Sequence, residues 1–465
     1  MIDSYNNLEV NMKLSPVFKR FVANSPISVI ARGMMERVLN PEQLNEWFDN
    51  TAQDQYTREL LFSSVFDIMS QVVCGSRPSV NAAYQASKDE IDVSITSLYN
   101  KLNGIEANTS AELVRYAAGE TKPVIEKLGG AQKPLLPGYR VKLIDGNCIE
   151  ASEHRIKELR SLAAGALPGK SLVVFDPVLR LPIDVFPCED GHAQERSLLA
   201  DVLPTVKADD VWISDRNFCV RSFLCGIATN DAFFITRQHG NLPWQSSGKE
   251  KPAGKVDTGK VFEQPIIVVD EHGKEWHFRR IRVYLKKATR DGDREIFIIT
   301  NLPKKVSAKK IAELYRKRWK IETAFQELTE HLNSEINTLG YPPAALFGFC
   351  VALVSYMILS VIKAALIGVF GVEVVENEVS GYYLADEISG TYRGMMIAIQ
   401  PDEWVIFRNF TQAELVEFLR KLAKKVKLSA FRKHPRGPKK PVAKRKSDPK
   451  HPHVSTARLI ASRKK

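Results

Sequence analysis

The chain has 465 residues, 44% of them hydrophobic, and a net charge of +12. That length allows two or three domains with a large core. The charge is not spread evenly: Arg420 to Lys465 holds 18 Lys or Arg against one acid, Asp448, and the other 419 residues sum to −5, which excludes a uniformly basic surface.

Residues 1–130 read as a helical domain, with a strongly apolar stretch over Leu60–Val73. Two short amphipathic pieces, Ser79–Ala86 and Ser94–Leu102, suit a helix-turn-helix-like reader or an ordinary helical packing domain. Ser94, Thr96, Ser97, Tyr99, Asn100 and Lys101 are its possible DNA contacts. An α/β core follows. Strand Arg140–Ile144 precedes a hairpin, Leu172–Phe175 and Ile183–Phe186, whose second arm Pro187 is expected to stop. A helix over Ala193–Leu203, strand Val211–Ser214, helix Val220–Ile227 and strand Ala232–Thr236 complete a layered pattern. Residues 238–295 turn β-rich, with turns of Gly, Asp and Lys, and read as an insertion. One helix is expected over Ile311–Leu332. Ala344–Ile362 is uncharged and long enough to span a bilayer, but it is solitary and Lys363 follows at once, so a buried core helix is the expectation. Residues 373–419 read as mixed or helical. The basic segment 420–465, with three prolines in Arg432–Lys446, cannot bury enough surface to fold alone and reads as a disordered, phosphate-binding tail.

Three segments hold candidate chemistry. In IAELYRKRWKIETAFQELTEHL, Tyr315, Arg318 and Glu322 share one face of a helix beside an apolar stripe of Leu314, Ile321, Phe325, Leu328 and Leu332. Alone, this is equally a solvated edge with one ion pair. Asp145 ends a strand in RVKLIDGNCI, and Asp215 ends another in DDVWISDRNF; each alone is equally a turn or capping residue. Together the three carboxylates repel unless a hard divalent cation joins them. Glu327 and Glu330 compete for the third position. His154 and His192 read as structural or surface residues.

These motifs resemble the DDE transposases of bacterial insertion sequences. The Tyr315, Arg318, Glu322 spacing is similar to the Tyr-Arg-Glu-Lys branch, the insertion-sequence-four family, although Thr329 stands at the lysine position. Asn301-Leu302-Pro303 and the stretch Glu153–Arg160 add to the likeness, which runs from about Arg58 to the C-terminus.

The resemblance implies an RNase H-like catalytic core over 131–237 and 296–372, interrupted by the β-rich insertion and preceded by a DNA-end-binding helical domain. It implies that Asp145, Asp215 and Glu322 hold two Mg²⁺ (or Mn²⁺) ions for cut-and-paste strand cleavage and transfer. Tyr315 and Arg318 are expected on DNA, with Trp319 (or Trp244 or Trp276) beneath a flipped base, the alternative for Trp319 being packing. From the residues themselves, Arg237 is equally a DNA contact or a solvated strand end, and Lys439, Lys440, Lys444, Arg445 and Lys446 are expected on phosphates. Expected partners are terminal inverted repeats, target DNA and a second copy in the synaptic complex, with no membrane.

The six cysteines show neither CxxC spacing nor a zinc pattern, and no secretory signal is evident, so a cytoplasmic, nucleoid-associated bacterial protein is the expectation. An inactive or accessory DNA-binding derivative is the alternative.

Overall fold

Prolines and capping side chains set the first helices. The computed structural model describes residues 14–55, 57, 59–289, 292–434 and 452–463. In it α1 (Pro16–Asn24), α2 (Pro26–Val38) and α3 (Pro41–Thr51) each begin on proline, whose fixed φ suits a first turn. Ser15 and Asn40 accept hydrogen bonds from the Phe18 and Gln43 amides and so cap α1 and α3. α4 (Phe62–Val73), α5 (Val80–Ala86), α6 (Ile95–Asn103) and α7 (Ala107–Leu128) complete a helical N-terminal region. Two of the suggested DNA contacts have structural work here: Ser94 caps α6, and the Lys101 ammonium lies 4.5 Å from the centre of the Phe48 ring.

A large mixed sheet follows. The strands in this part of the chain are β1 (Arg140–Cys148), β2 (Gly165–Leu167), β3 (Lys170–Asp176), β4 (Leu181–Cys188), β5 (Asp210–Ser214), β6 (Phe233–Arg237), β7 (Gln245–Ser246), β8 (Lys251–Val256), β9 (Gly259–Val269), β10 (Glu275–Leu285) and β11 (Glu295–Thr300). All but β2 share one sheet in the order β4-β3-β1-β5-β6-β11-β10-β9-β7, with β8 against β9. β1, β5 and β6 run parallel; β3 and β4 are antiparallel neighbours on one side. Segment 238–295 thus supplies strands to the same sheet, because β11 pairs with both β6 and β10.

Asp210 ties the parallel strands together. It is fully buried, and its carboxylate meets Arg140 Nε at 2.9 Å and Lys142 Nζ at 2.7 Å, both on β1. A core of Ile144, Val174, Trp212, Phe218, Phe223 and Phe234 fills the space beside β1, β3, β5 and β6 and under α8 (Arg221–Thr229).

Several expected elements differ. Pro187 lies within β4, opposite Ser171, where an edge strand tolerates its missing N–H. The expected helix over 193–203 is a series of short turns: 3₁₀ at Glu195–Leu198, α at Leu199–Val202 and 3₁₀ at Leu203–Thr205. The expected helix over 311–332 is two, α9 (Ala308–Arg316) and α10 (Trp319–His331). The amides of Lys317 and Arg318 bond back to the Leu314 and Tyr315 carbonyls, a tightening that interrupts the α-helical ladder.

Ala344–Ile362 lies in α11 (Pro342–Phe370), whose most apolar window is entirely buried within the chain. By length and composition it passes for a membrane span, and its burial is that of a core helix. α12 (Gly381–Ala398) and α13 (Gln412–Lys425) follow. The expectation of a disordered tail over 420–465 fails where that tail is described. α13 continues to Lys425 behind a Thr411/Glu414 capping box. Beyond it, β12 (His453–Ser455) pairs with β2 and leads into α14 (Thr456–Arg463). Val454, Leu459 and Ile460 pack on Ile156, Leu159 and Ala166, an apolar anchor that the lysine-rich composition hides.

The chain divides into two units. One, helical, comprises Met1–Ala131, Glu327–Leu339 and Pro343–Pro452; the other, with the sheet, comprises Gln132–Gln326, Gly340–Pro342 and His453–Lys465.

Candidate active site

Strand register brings the two aspartates together. Leu143 of β1 pairs with Ile213 of the adjacent parallel β5. Asp145 and Asp215 each lie two residues further: Asp215 follows the end of β5, whereas Asp145, expected at a strand end, lies inside β1 opposite Val173 of β3, because β1 runs on to Cys148 beyond its pairing with β5. Both therefore sit just past the C-terminal end of the parallel pairing, where open α/β sheets bind ligands. Asp145 Oδ1 accepts from the Gly146 amide at 3.0 Å. Asp215 caps the 3₁₀ turn Arg216–Phe218 by accepting from the Asn217 amide at 2.7 Å. The local capping role of Asp215 therefore coexists with its place at the sheet end.

Arg318, in the break between α9 and α10, joins the third carboxylate to the first. Its Nη1 lies 2.9 Å from Asp145 Oδ2 and 2.6 Å from Glu322 Oε1. Burial opposes the guanidinium charge, yet Asp145, Tyr315 and Glu322 outweigh it and raise the Arg318 pKa. Asp145 behaves in the opposite sense. Burial pushes its carboxyl up to about 7, Arg318 opposes this, and Asp215 and Glu322 add to it. The ion pair alone would lower it; desolvation and two neighbouring carboxylates prevail.

Tyr315, on α9, is 8% exposed and hydrogen-bonds Arg318. Burial raises its phenol pKa, against the attraction of Arg318 and Arg237. Arg237 ends β6 and pairs with Asp293 at 2.6 Å. Trp319 is 62% exposed, with the Arg318 guanidinium 5.6 Å from its ring centre. Trp276, by contrast, donates Nε1–H to Asp270 at 2.9 Å, and Trp244 sits under Arg280 at 4.8 Å. The structure thus gathers Asp145, Asp215, Glu322, Tyr315 and Arg318, with Arg237 near Tyr315. Lys439, Lys440, Lys444, Arg445 and Lys446 lie outside the described residues.

The competing residues have other partners. Glu327 accepts from Lys363 and Tyr356, both at 3.0 Å, within the helical unit. His154 Nε2 lies 2.7 Å from the Ala164 carbonyl oxygen.

Glu195, not singled out in the sequence, also belongs here. Its Oε2 accepts from Asn217 Nδ2 at 3.3 Å, and its Oε1 lies 2.2 Å from where a Cβ on Gly146 would sit. With glycine at 146, this fourth carboxylate reaches the backbone next to Asp145; a larger residue there would make the Glu195 side chain shift. No local pattern marks Glu195, because a short 3₁₀ turn carries it.

The donor set fits a hard divalent cation in kind: carboxylate oxygens that raise one another's proton affinity. Among the described residues no three His, Cys, Asp or Glu side chains close into a ligand group, and Arg318 is the cation between Asp145 and Glu322. Arg318 Nε is buried and makes no hydrogen bond, leaving a charged donor for an anion.

Comparison with known proteins finds likenesses to transposases. Residues 136–357 match the family described as "Transposase DDE domain". A 169-residue stretch is 28% identical to a protein named "Putative transposase y4zB" from Sinorhizobium fredii (strain NBRC 101917 / NGR234). That stretch covers 35% of this chain and 44% of the relative, so the match spans less than half of the relative's length.

Proposed function

We propose that the chain is a transposase of the Tyr-Arg-Glu-Lys branch that cuts and joins DNA at a divalent-metal centre held by Asp145, Asp215 and Glu322. The observation that carries this reading is the pairing of Arg318 with both Asp145 and the helix-borne Glu322, with Asp215 near enough for its charge to act on Asp145. The three antiparallel strands β4, β3 and β1, extended by parallel β5 and β6, support an RNase H-like core.

The carboxylates would hold one or two Mg²⁺ ions, which supply charge neutralisation at phosphate and a more acidic water. The residues do the rest. Arg318, paired here with Asp145 and Glu322, carries a planar fork that would suit a phosphate at the cut end. Tyr315, already bonded to Arg318, offers that phosphate a second donor. Arg237 adds positive charge near Tyr315. Trp319 presents an open ring for an unstacked base, whereas Trp244 and Trp276 are engaged. The substrate would be the terminal inverted repeats of the element, paired by two copies of the chain, with the helical N-terminal region recognising the ends.

The test is an incubation of linear duplex bearing the element's own ends with target DNA, with and without Mg²⁺. Cleavage at the ends and joining of the 3′ ends to target, only with the cation, is the expected result. Cleavage without joining would indicate a nuclease instead. Binding without cleavage would favour an accessory DNA-binding protein.

A further inference from the structure

A cavity of about 310 Å³ opens beside Asp215, in the sheet-bearing unit. Its wall begins with Arg216 and Asn217, which follow Asp215 directly in the 3₁₀ turn that Asp215 caps. Arg196 enters from the 3₁₀ turn that also carries Glu195. Arg221 comes from the first residue of α8, and His239 and Asn241 from the loop after β6. The cavity therefore shares two turns with the candidate active site.

Its charge is unbalanced. Three arginines face one carboxylate, Glu271, which lies 4.0 Å from Arg221. Arg196 and Arg216 are exposed, and among the described residues neither side chain has a hydrogen bond or ion pair. Elsewhere in this unit arginines are committed: Arg237 to Asp293, Arg279 to Glu263, and Arg282 to Glu250 and Glu295. Two free guanidiniums and a third arginine lining one concave site form a ready receptor for a phosphate's charge and geometry.

We propose that this cavity binds a backbone phosphate of the DNA strand that passes Asp215, one step along from the reacting phosphate. The identification of the ligand as DNA rests on the proposed function; the anion site itself rests on the cavity. Arg196 and Arg216 would fix the strand's register, which positions without reading sequence. Asn217 and Asn241 add hydrogen-bonding groups for phosphate or sugar oxygens.

Binding of a fluorescein-labelled 30-base-pair duplex, followed by anisotropy in EDTA from 50 to 300 mM KCl, tests this. Arg196→Ala/Arg216→Ala is compared with wild type and with Arg155→Ala/Arg160→Ala, an equal charge loss outside the cavity. The expected result is a roughly tenfold weaker affinity at 0.1 M salt and a log–log salt slope smaller by about two for the cavity variant alone. Melting temperatures, expected to be unchanged, check folding. Equal weakening by both double variants, or none by either, would overturn the proposal. Cleavage is not read, so the outcomes separate. A wild type that binds through the cavity but never cuts sinks the catalytic reading and leaves this site. A wild type that cuts with no loss in the cavity variant does the reverse.

Discussion

Arg318 is the residue on which the site turns. One guanidinium offsets two carboxylates, so its removal should leave Asp145 and Glu322 repelling in a poorly solvated place. Arg318→Ala should cost about 3 kcal/mol, the low end for breaking a buried pair, since the side chains keep some solvent contact. Mg²⁺ should restore part of that loss by supplying the missing charge. Thermal melts with Mg²⁺ and with EDTA check this: the variant should gain more from Mg²⁺ than wild type, and an equal gain would mean that the carboxylates do not converge. Asp145 adds a pH signature. Its folded pKa, about 7, exceeds the ordinary value of 3.8, so the folded chain holds this proton more tightly than the unfolded chain. Stability is therefore lost as pH rises from about 4 to about 7, by at most about 4 kcal/mol from this group. In EDTA, Asp145→Asn should melt progressively higher than wild type across that window. A constant difference between the two proteins would contradict the shift.

At the scale of elements, the sequence was informative wherever a local pattern sufficed. The apolar run before Asp215 marked the end of β5, because burial and turn chemistry are written within a few residues; the run before Asp145 marked a strand but not its end, since pairing with β3 carries β1 on to Cys148. The periodic stripe around Tyr315 and Glu322 was equally plain, but the break between α9 and α10 was not. Lys317 and Arg318 are good helix formers, and only the pull of Asp145 on Arg318 identifies the junction as a special place. The short turns over Glu195–Thr205 were likewise read as one helix, which hid Glu195. α9 depends on its start: Ser307 accepts from the Lys310 amide at 3.3 Å. Ser307→Ala should lower stability by about 1 kcal/mol, measured by urea unfolding. Because α9 carries Tyr315, an unchanged midpoint would mean that packing alone holds the helix.

Over the whole molecule, long-range pairing was the part local patterns could not reveal. Residues 238–295 have the composition of an insertion, yet β11 returns to pair with β6 and makes one continuous sheet. That pairing joins segments about sixty residues apart, beyond any window of periodicity. The described end of the basic tail is similar: a few apolar residues dock β12 and α14 on the sheet-bearing unit despite the charge around them. The helical unit was legible as helical, and α11 as buried, because its uncharged stretch Ala344–Ile362 needs apolar surroundings on every side. What joins these scales is the claim that Asp145, Asp215 and Glu322 act as one metal-dependent centre. The direct measurement is Mg²⁺-dependent cleavage of duplex bearing the element's ends by wild type, Asp145→Asn, Asp215→Ala and Glu322→Gln. Cleavage by wild type alone is expected, with a loss of at least about a hundredfold in each variant and DNA binding retained. Cleavage by any one variant at the wild-type rate would contradict that claim.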